Sequence, residues 1–184
     1  MDLTEHTLAS EVVYDGALLH VRRDVVRLGD DGPESVREWI RHPGASAVVP
    51  LYPDGDTLLI RQFRYPARRE FLEVPAGKFD GPHESALDVA RRELFEEVGL
   101  TAARWTPLGE THPGIGYSDE VIHLFLAEDV SEGDARPDAD ERVIPVRLPF
   151  ADAVARARAG EILDGKSCVA LLLADAAIAR RDPR

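Results

Sequence analysis

Three glutamates, Glu93, Glu96 and Glu97, follow an arginine, Arg92, within six residues of a 184-residue chain. Spacings of three and four put carboxylates on adjoining parts of one helix surface, because a helix turns about 100° per residue. Glu93 and Glu97 share one face and Glu96 sits at its edge, with no lysine among them. Like charges so placed destabilise a helix by roughly 0.2–0.5 kcal/mol per pair. A hard divalent cation removes that conflict, since Mg2+ takes carboxylate oxygens and leaves its other positions to water and substrate phosphates. The same residues also read as a solvated acidic face, with Arg91 and Arg92 as local salt-bridge partners, and a short motif alone does not separate the two readings.

The element that must position them runs from Ser85 to Val98. It is rich in Ala, Leu, Glu and Arg and has no internal Pro or Gly, which predicts a helix. Ser85 is the expected N-cap, with Asp88 as a weak capping-box partner. Gly99 supplies the stop, because glycine accepts the left-handed conformation that ends many helices. Leu87, Ala90, Leu94 and Val98 form the apolar stripe expected to face the core.

From Gly77 to Leu100 the chain reads GKFDGPHESALDVARRELFEEVGL. This resembles the Nudix box, whose pattern is Gly, five residues, Glu, seven residues, then Arg-Glu-aliphatic-x-Glu-Glu-x-Gly-aliphatic. Glu84, Arg92, Glu93, Leu94, Glu96, Glu97, Gly99 and Leu100 match in register, while six residues, KFDGPH, stand between Gly77 and Glu84. The extra residue falls in a Gly-Pro turn, where insertions are tolerated best. The resemblance implies an α/β fold, the Nudix α/β/α sandwich with a mixed sheet. It implies Mg2+ as cofactor, with Mn2+ as a substitute, held by Glu93, Glu96, Glu97 and the backbone carbonyl of Ala76. Glu96, Glu97 and Glu141 are the implied catalytic carboxylates, with Glu96 or Glu141 taking the proton. Arg92 is expected to fix a glutamate of its own helix and not to touch substrate.

The totals bound the alternatives. A length of 184 residues with 44% hydrophobic content suits one domain with a proper core. A net charge of −12 argues against a nucleic-acid partner. It also means that metal ions and a few placed arginines must invert the local field around any phosphate. The single cysteine, Cys168, excludes an internal disulfide and suits a reducing, cytoplasmic setting. Its SCVALLLA surroundings predict a buried helix position. The first residues lack an apolar run, so no signal peptide is expected. No apolar stretch approaches the ~20 residues that span a bilayer, so no membrane role is expected.

Before the motif, EVVY, Asp15-Gly16 and LLHVRRDVVRL predict two strands around a tight turn, and SVREWIRH a third. These resemble the N-terminal antiparallel sheet of ADP-ribose pyrophosphatases, which implies a segment 1–42 exchanged across a homodimer and a Nudix domain over 43–184. Trp39 falls where some members stack an aromatic on adenine, and it reads equally as a packed strand tryptophan. ASAVVPLY and TLLIRQFRY predict a hairpin around Pro53-Asp54-Gly55-Asp56. RQFRYP resembles the same subfamily, in which Arg64 matches a phosphate-contacting position, a role suited to a planar guanidinium. EFLEVP follows, in which the resemblance implies that Glu73 faces the site and touches the nucleotide.

After the helix, Trp105 to Thr111 and Val121 to Ala127 predict strands, and Phe150 to Ala159 and Lys166 to Ala177 predict helices. The run HPGIGYSDE resembles the substrate loop of ADP-ribose pyrophosphatases, with Ile115 where a Pro is usual. His112 has no His or Cys partner pattern and reads as a loop residue. Glu128 to Glu141 reads as an acidic mobile loop, and the closing residues RRDPR as frayed. The resemblance covers about Glu11 to Ala177. It implies hydrolysis of a nucleoside diphosphate-linked substrate, foremost ADP-ribose to AMP and ribose 5-phosphate. GDP-mannose, UDP-glucose or NADH remain as rivals, as does a non-catalytic nucleotide-sensing module. A sanitiser of triphosphates is disfavoured by the N-terminal sheet and the RQFRYP and GYSDE runs.

Overall fold

The structure, a computed structural model, describes residues 2–81, 83–133 and 142–181. The chain divides into two compact units, one of Met1–Gly44 with Gly114–Val121, the other of Ala45–Pro113 with Ile122–Arg184.

The first unit is built on an antiparallel sheet, β1 (Glu5–Asp15), β2 (His20–Leu28) and β3 (Glu34–Arg41). The expected turn at Asp15-Gly16 is there, closed by Gly16 N donating to Leu19 O at 2.9 Å. Every residue of β1 is exposed, including Leu8, Val12, Val13 and Tyr14. Arg37 of β3 reaches across β2 to hold Glu5 through two hydrogen bonds of 2.8 and 2.5 Å. The segment Gly114–Val121 is clasped to the end of β3: Ile40 N donates to Tyr117 O at 2.8 Å, and His42 N to Asp119 Oδ1 at 2.7 Å.

The second unit is a mixed sheet between two helical layers. Its path is β10 (Val143–Pro149), β5 (Asp56–Arg64), β4 (Ala45–Leu51), β9 (Ile122–Glu132) and β8 (Leu100–Thr111). β6 (Arg69–Glu73) pairs with β5, and β7 (Ala76–Lys78) with β4. β4 and β9 run parallel and the other pairs antiparallel. Side chains alternate across each strand, so the sheet feeds two cores. Ala47, Val49, Leu59, Leu124 and Leu126 pack with α2 (Phe150–Arg158) and α3 (Gly165–Arg181) on one face. Val48, Leu58, Ile60, Phe125 and Ala127 pack with Ala90 and Leu94 of α1 (Ala86–Val98) on the other. This is the α/β/α sandwich.

α1 starts and stops where its sequence dictates. Ser85 Oγ accepts from Asp88 N at 3.2 Å, and Gly99 ends the helix at φ 68°. A Gly99→Ala substitution puts a Cβ into that left-handed position, and an unfolding titration should show a loss of about 1–2 kcal/mol.

Several expectations are corrected. The buried arc of α1 is Val89, Ala90, Glu93, Leu94 and Glu97, with Leu87 and Val98 only half-buried. β9 runs through Glu132, so Glu128 to Glu132, expected in a loop, are strand, and the rest of that expected loop from residue 134 to 141 lies outside the described residues. Arg180 and Arg181 are not frayed: they belong to α3, and Arg181 donates to Glu128 and Thr106, each at 2.6 Å. Cys168 lies in α3 as expected, but is half-buried.

Candidate active site

Two short elements, α1 and β7, place the carboxylates. Glu97 is 3% exposed, and its Oε2 accepts from Ala76 N at 2.9 Å. Glu93, 8% exposed, is pressed against the next residue of the same strand. A Cβ on Gly77 would lie 1.9 Å from Glu93 Oε1, so only glycine leaves room for that carboxylate.

Arg92 ties the cluster together. Its Nη1 donates to Glu93 Oε1 at 2.7 Å and to Glu96 Oε2 at 3.1 Å. Its Nε donates to Glu84 Oε1 at 3.0 Å and its Nη2 to Lys78 O at 2.9 Å. Partial burial works against the charged guanidinium, but Glu84, Glu93 and Glu96 outweigh it and hold its pKa above the ordinary arginine value. The same contact with Arg92, helped by Asp80 N, holds Glu84 below the usual glutamate range. Arg92 therefore serves the glutamates around it, as its position in the motif implies. The extra loop residue does not displace Glu84, which also closes the loop by accepting from Asp80 N at 3.1 Å.

A second charged group stands at the start of α3. Glu73, 2% exposed, accepts from Arg64 Nε and Nη2 at 2.7 Å each and from Lys166 Nζ. Burial pushes the Glu73 carboxyl up, and the two cations more than reverse this, leaving it below the ordinary glutamate value. The Glu73 hydrogen bond raises the Arg64 pKa against the effect of burial, and the charges of Asp164 and Glu97 add smaller contributions. Lys166 also donates to Asp164 Oδ2 at 3.0 Å, and Asp164 caps α3 by accepting from Ser167 N at 3.0 Å. Sequence reasoning missed Lys166 and Asp164. The available signal was a lysine in the first turn of a helix, where the macrodipole disfavours a cation unless an anion is close by.

Trp39 lies in the N-terminal unit, half-buried, its Nε1 donating to Asp24 Oδ2 at 2.8 Å. Asp24, missed in the sequence, also accepts from Ser10 Oγ, so the indole is anchored across all three strands. His112 is an exposed loop residue 3.5 Å from Glu110. Glu141 lies outside the described residues.

The donors around Ala76 suit a hard cation. Among the described residues, those that meet the Ala76–Gly77 backbone are the carboxylates Glu97 and Glu93, oxygen donors of the kind a hard divalent cation takes. A carboxylate offers about four lone-pair sites on two oxygens, so accepting from Arg92 or Ala76 does not exhaust it. Glu96, with 42% of its side chain exposed, is the most accessible of the three.

The chain is 35% identical over 171 residues to the ADP-ribose pyrophosphatase of Bacillus subtilis (strain 168), covering 92% of this chain and 91% of that protein. It is 34% identical over 176 residues to the ADP-ribose pyrophosphatase of Mycobacterium tuberculosis (strain ATCC 25618 / H37Rv), covering 92% and 84%. A crystal structure of an ADP compounds hydrolase superposes with a TM-score of 0.86 at 25% identity, covering 98% of this chain and 97% of that one. The NUDIX domain profile matches residues 40–166, which include the whole carboxylate helix and both charged clusters, and the chain belongs to the NUDIX domain family.

Proposed function

We propose that this protein is a Mg2+-dependent pyrophosphohydrolase that cleaves ADP-ribose to AMP and ribose 5-phosphate. The observation that carries the reading is that Arg92 holds Glu93 and Glu96 on α1 while the same helix presents Glu97 to Ala76 N and Glu93 to Gly77. Glu93, Glu96, Glu97 and the Ala76 carbonyl are the residues that would hold the metal. Bound there, Mg2+ neutralises a diphosphate and makes water a usable nucleophile near neutral pH. The protein's own groups do the rest. Arg64 grips phosphate oxygens and keeps the phosphorus in line for attack. Glu96 or Glu141 accepts the proton from water. Glu73 contributes to nucleotide binding through Arg64, which it orients, and Trp39 is proposed as an aromatic surface for the base, its polar edge already satisfied by Asp24.

The test is a substrate panel of ADP-ribose, GDP-mannose, UDP-glucose, NADH and a nucleoside triphosphate, each with Mg2+ and with EDTA. ADP-ribose is expected to be fastest by at least about tenfold, roughly 1.4 kcal/mol of discrimination, with AMP released and activity lost in EDTA. A faster GDP-mannose or UDP-glucose reaction reassigns the pocket. No turnover of any member overturns the enzymatic reading.

Gly77→Ala probes the metal position. The new Cβ displaces the Glu93 carboxylate and not the backbone, so the protein folds. The Mg2+ concentration for half-maximal rate should rise by about 10- to 100-fold. An unchanged Mg2+ titration would remove Glu93 from the metal site.

The exposed apolar residues of β1 favour a second copy of the chain as partner, with segment 1–42 exchanged between protomers and residues 43–184 as the Nudix domain. Light scattering should then give twice the chain mass. Among the described residues no helix is long and apolar enough to cross a membrane. A cytoplasmic setting belongs to the same proposal and rests on the single half-buried cysteine.

A further inference from the structure

One buried carboxylate, Glu73, is served by two cations of different character. Arg64 sits at the end of β5 with 43% of its side chain exposed, whereas Lys166 is 12% exposed and fixed to the capped first turn of α3 through Asp164. A single anion needs only one countercharge. Stripped of both, however, a carboxylate at 2% exposure would be left uncompensated in a low-dielectric interior, which is strongly unfavourable. If Arg64 must leave Glu73 to reach a phosphate, something has to stay behind.

We propose that Lys166 is a positioning residue for the diphosphate: it keeps Glu73 compensated, so that Arg64 can exchange its bidentate contact with Glu73 for substrate phosphate. The inference rests on the reading of Arg64 as a phosphate ligand. It assigns the two cations different duties. Arg64 has the planar fork that matches a phosphate edge and the exposure to reach it, while Lys166 is a point charge held from two sides. Without Lys166 the whole demand of Glu73 falls on Arg64, and substrate must compete with a buried carboxylate for the guanidinium.

The experiment compares Arg64→Ala, Lys166→Met, Lys166→Arg, Glu73→Gln and the Lys166→Met/Glu73→Gln double variant. KM and kcat for ADP-ribose are measured with Mg2+, and Kd for ADP-ribose is measured by calorimetry in EDTA. Lys166→Met is expected to raise KM and Kd by about tenfold, with a smaller effect on kcat, and Lys166→Arg to stay within about threefold of wild type. The double variant should bind better than Lys166→Met alone, because a neutral glutamine no longer retains Arg64. That rescue is the result a purely structural lysine would not give. A double variant as poor as Lys166→Met, with Arg64→Ala also impaired, overturns the inference and leaves Arg64 as a phosphate ligand. An Arg64→Ala protein with wild-type KM and Kd overturns the phosphate reading, and the inference falls with it. If Lys166→Met does not fold, the double variant against Glu73→Gln decides: equal binding supports the proposal, and a further tenfold loss overturns it.

Discussion

Glu97→Gln should lower kcat by at least about 100-fold at saturating Mg2+ and leave the melting temperature close to that of the wild type. The two halves of this prediction have different causes. Glu97 is buried, and among its contacts with the fold is the hydrogen bond it accepts from Ala76 N at 2.9 Å. A glutamine carbonyl oxygen accepts the same bond in the same volume, so the packing of α1 against β7 survives. What disappears is a negative charge at the point where a divalent cation must be held against diphosphate and water. Steady-state kinetics across a Mg2+ titration, with a circular-dichroism melt of the same sample, checks both halves. A wild-type kcat would take Glu97 out of the metal site. A large drop in melting temperature would make it a structural residue.

Arg92→Met should cost about 3 kcal/mol of stability in EDTA, roughly 6–12 °C in melting temperature for a chain of this size. Arg92 is the countercharge for Glu84, Glu93 and Glu96, and it also donates to Lys78 O. Methionine fills much of the space but leaves these carboxylates to repel one another, Glu93 within a largely buried setting. A second consequence distinguishes charge balance from packing. Mg2+ should recover about 1 kcal/mol or more of the loss, because a cation bound by the same glutamates replaces part of what the guanidinium supplied. Urea titrations in EDTA and in millimolar Mg2+ measure the difference. A variant as stable as wild type in EDTA, or one that Mg2+ does not help, would remove Arg92 from its organising role.

How much of this could be read from sequence depended on whether local chemistry or tertiary context decided the outcome. The limits of α1 were local: a serine cap, a helix-forming interior and a glycine stop suffice. Its buried arc was not. A hydrophobic stripe through Leu87 and Val98 treats glutamate as an outward residue, whereas Ala76 N and Arg92 draw Glu97 and Glu93 inward and turn Val89 into the core. β10 was missed because Pro145 and Pro149 argue against a strand. It forms because it lies at the edge of the sheet, where proline is tolerated. β7, only three residues long, carries too little pattern to be seen. The Nudix-box glutamates were legible from spacing. The pairing of Arg64 and Lys166 on Glu73 was not, because Glu73 and Lys166 lie 93 positions apart and meet only when α3 packs on the sheet.

The Ala76 amide carries one last consequence. Its hydrogen is held by a side-chain carboxylate that is itself an expected metal ligand, on a strand too short to shelter it by other means. In an NMR spectrum this one backbone signal becomes a gauge of what Glu97 is doing. When Glu97 turns toward a cation, the hydrogen bond that deshields the Ala76 proton weakens, its resonance moves upfield, and its exchange with solvent quickens. Titrating Mg2+ against a 15N-labelled sample would thus read occupancy at a single atom, without substrate and without turnover.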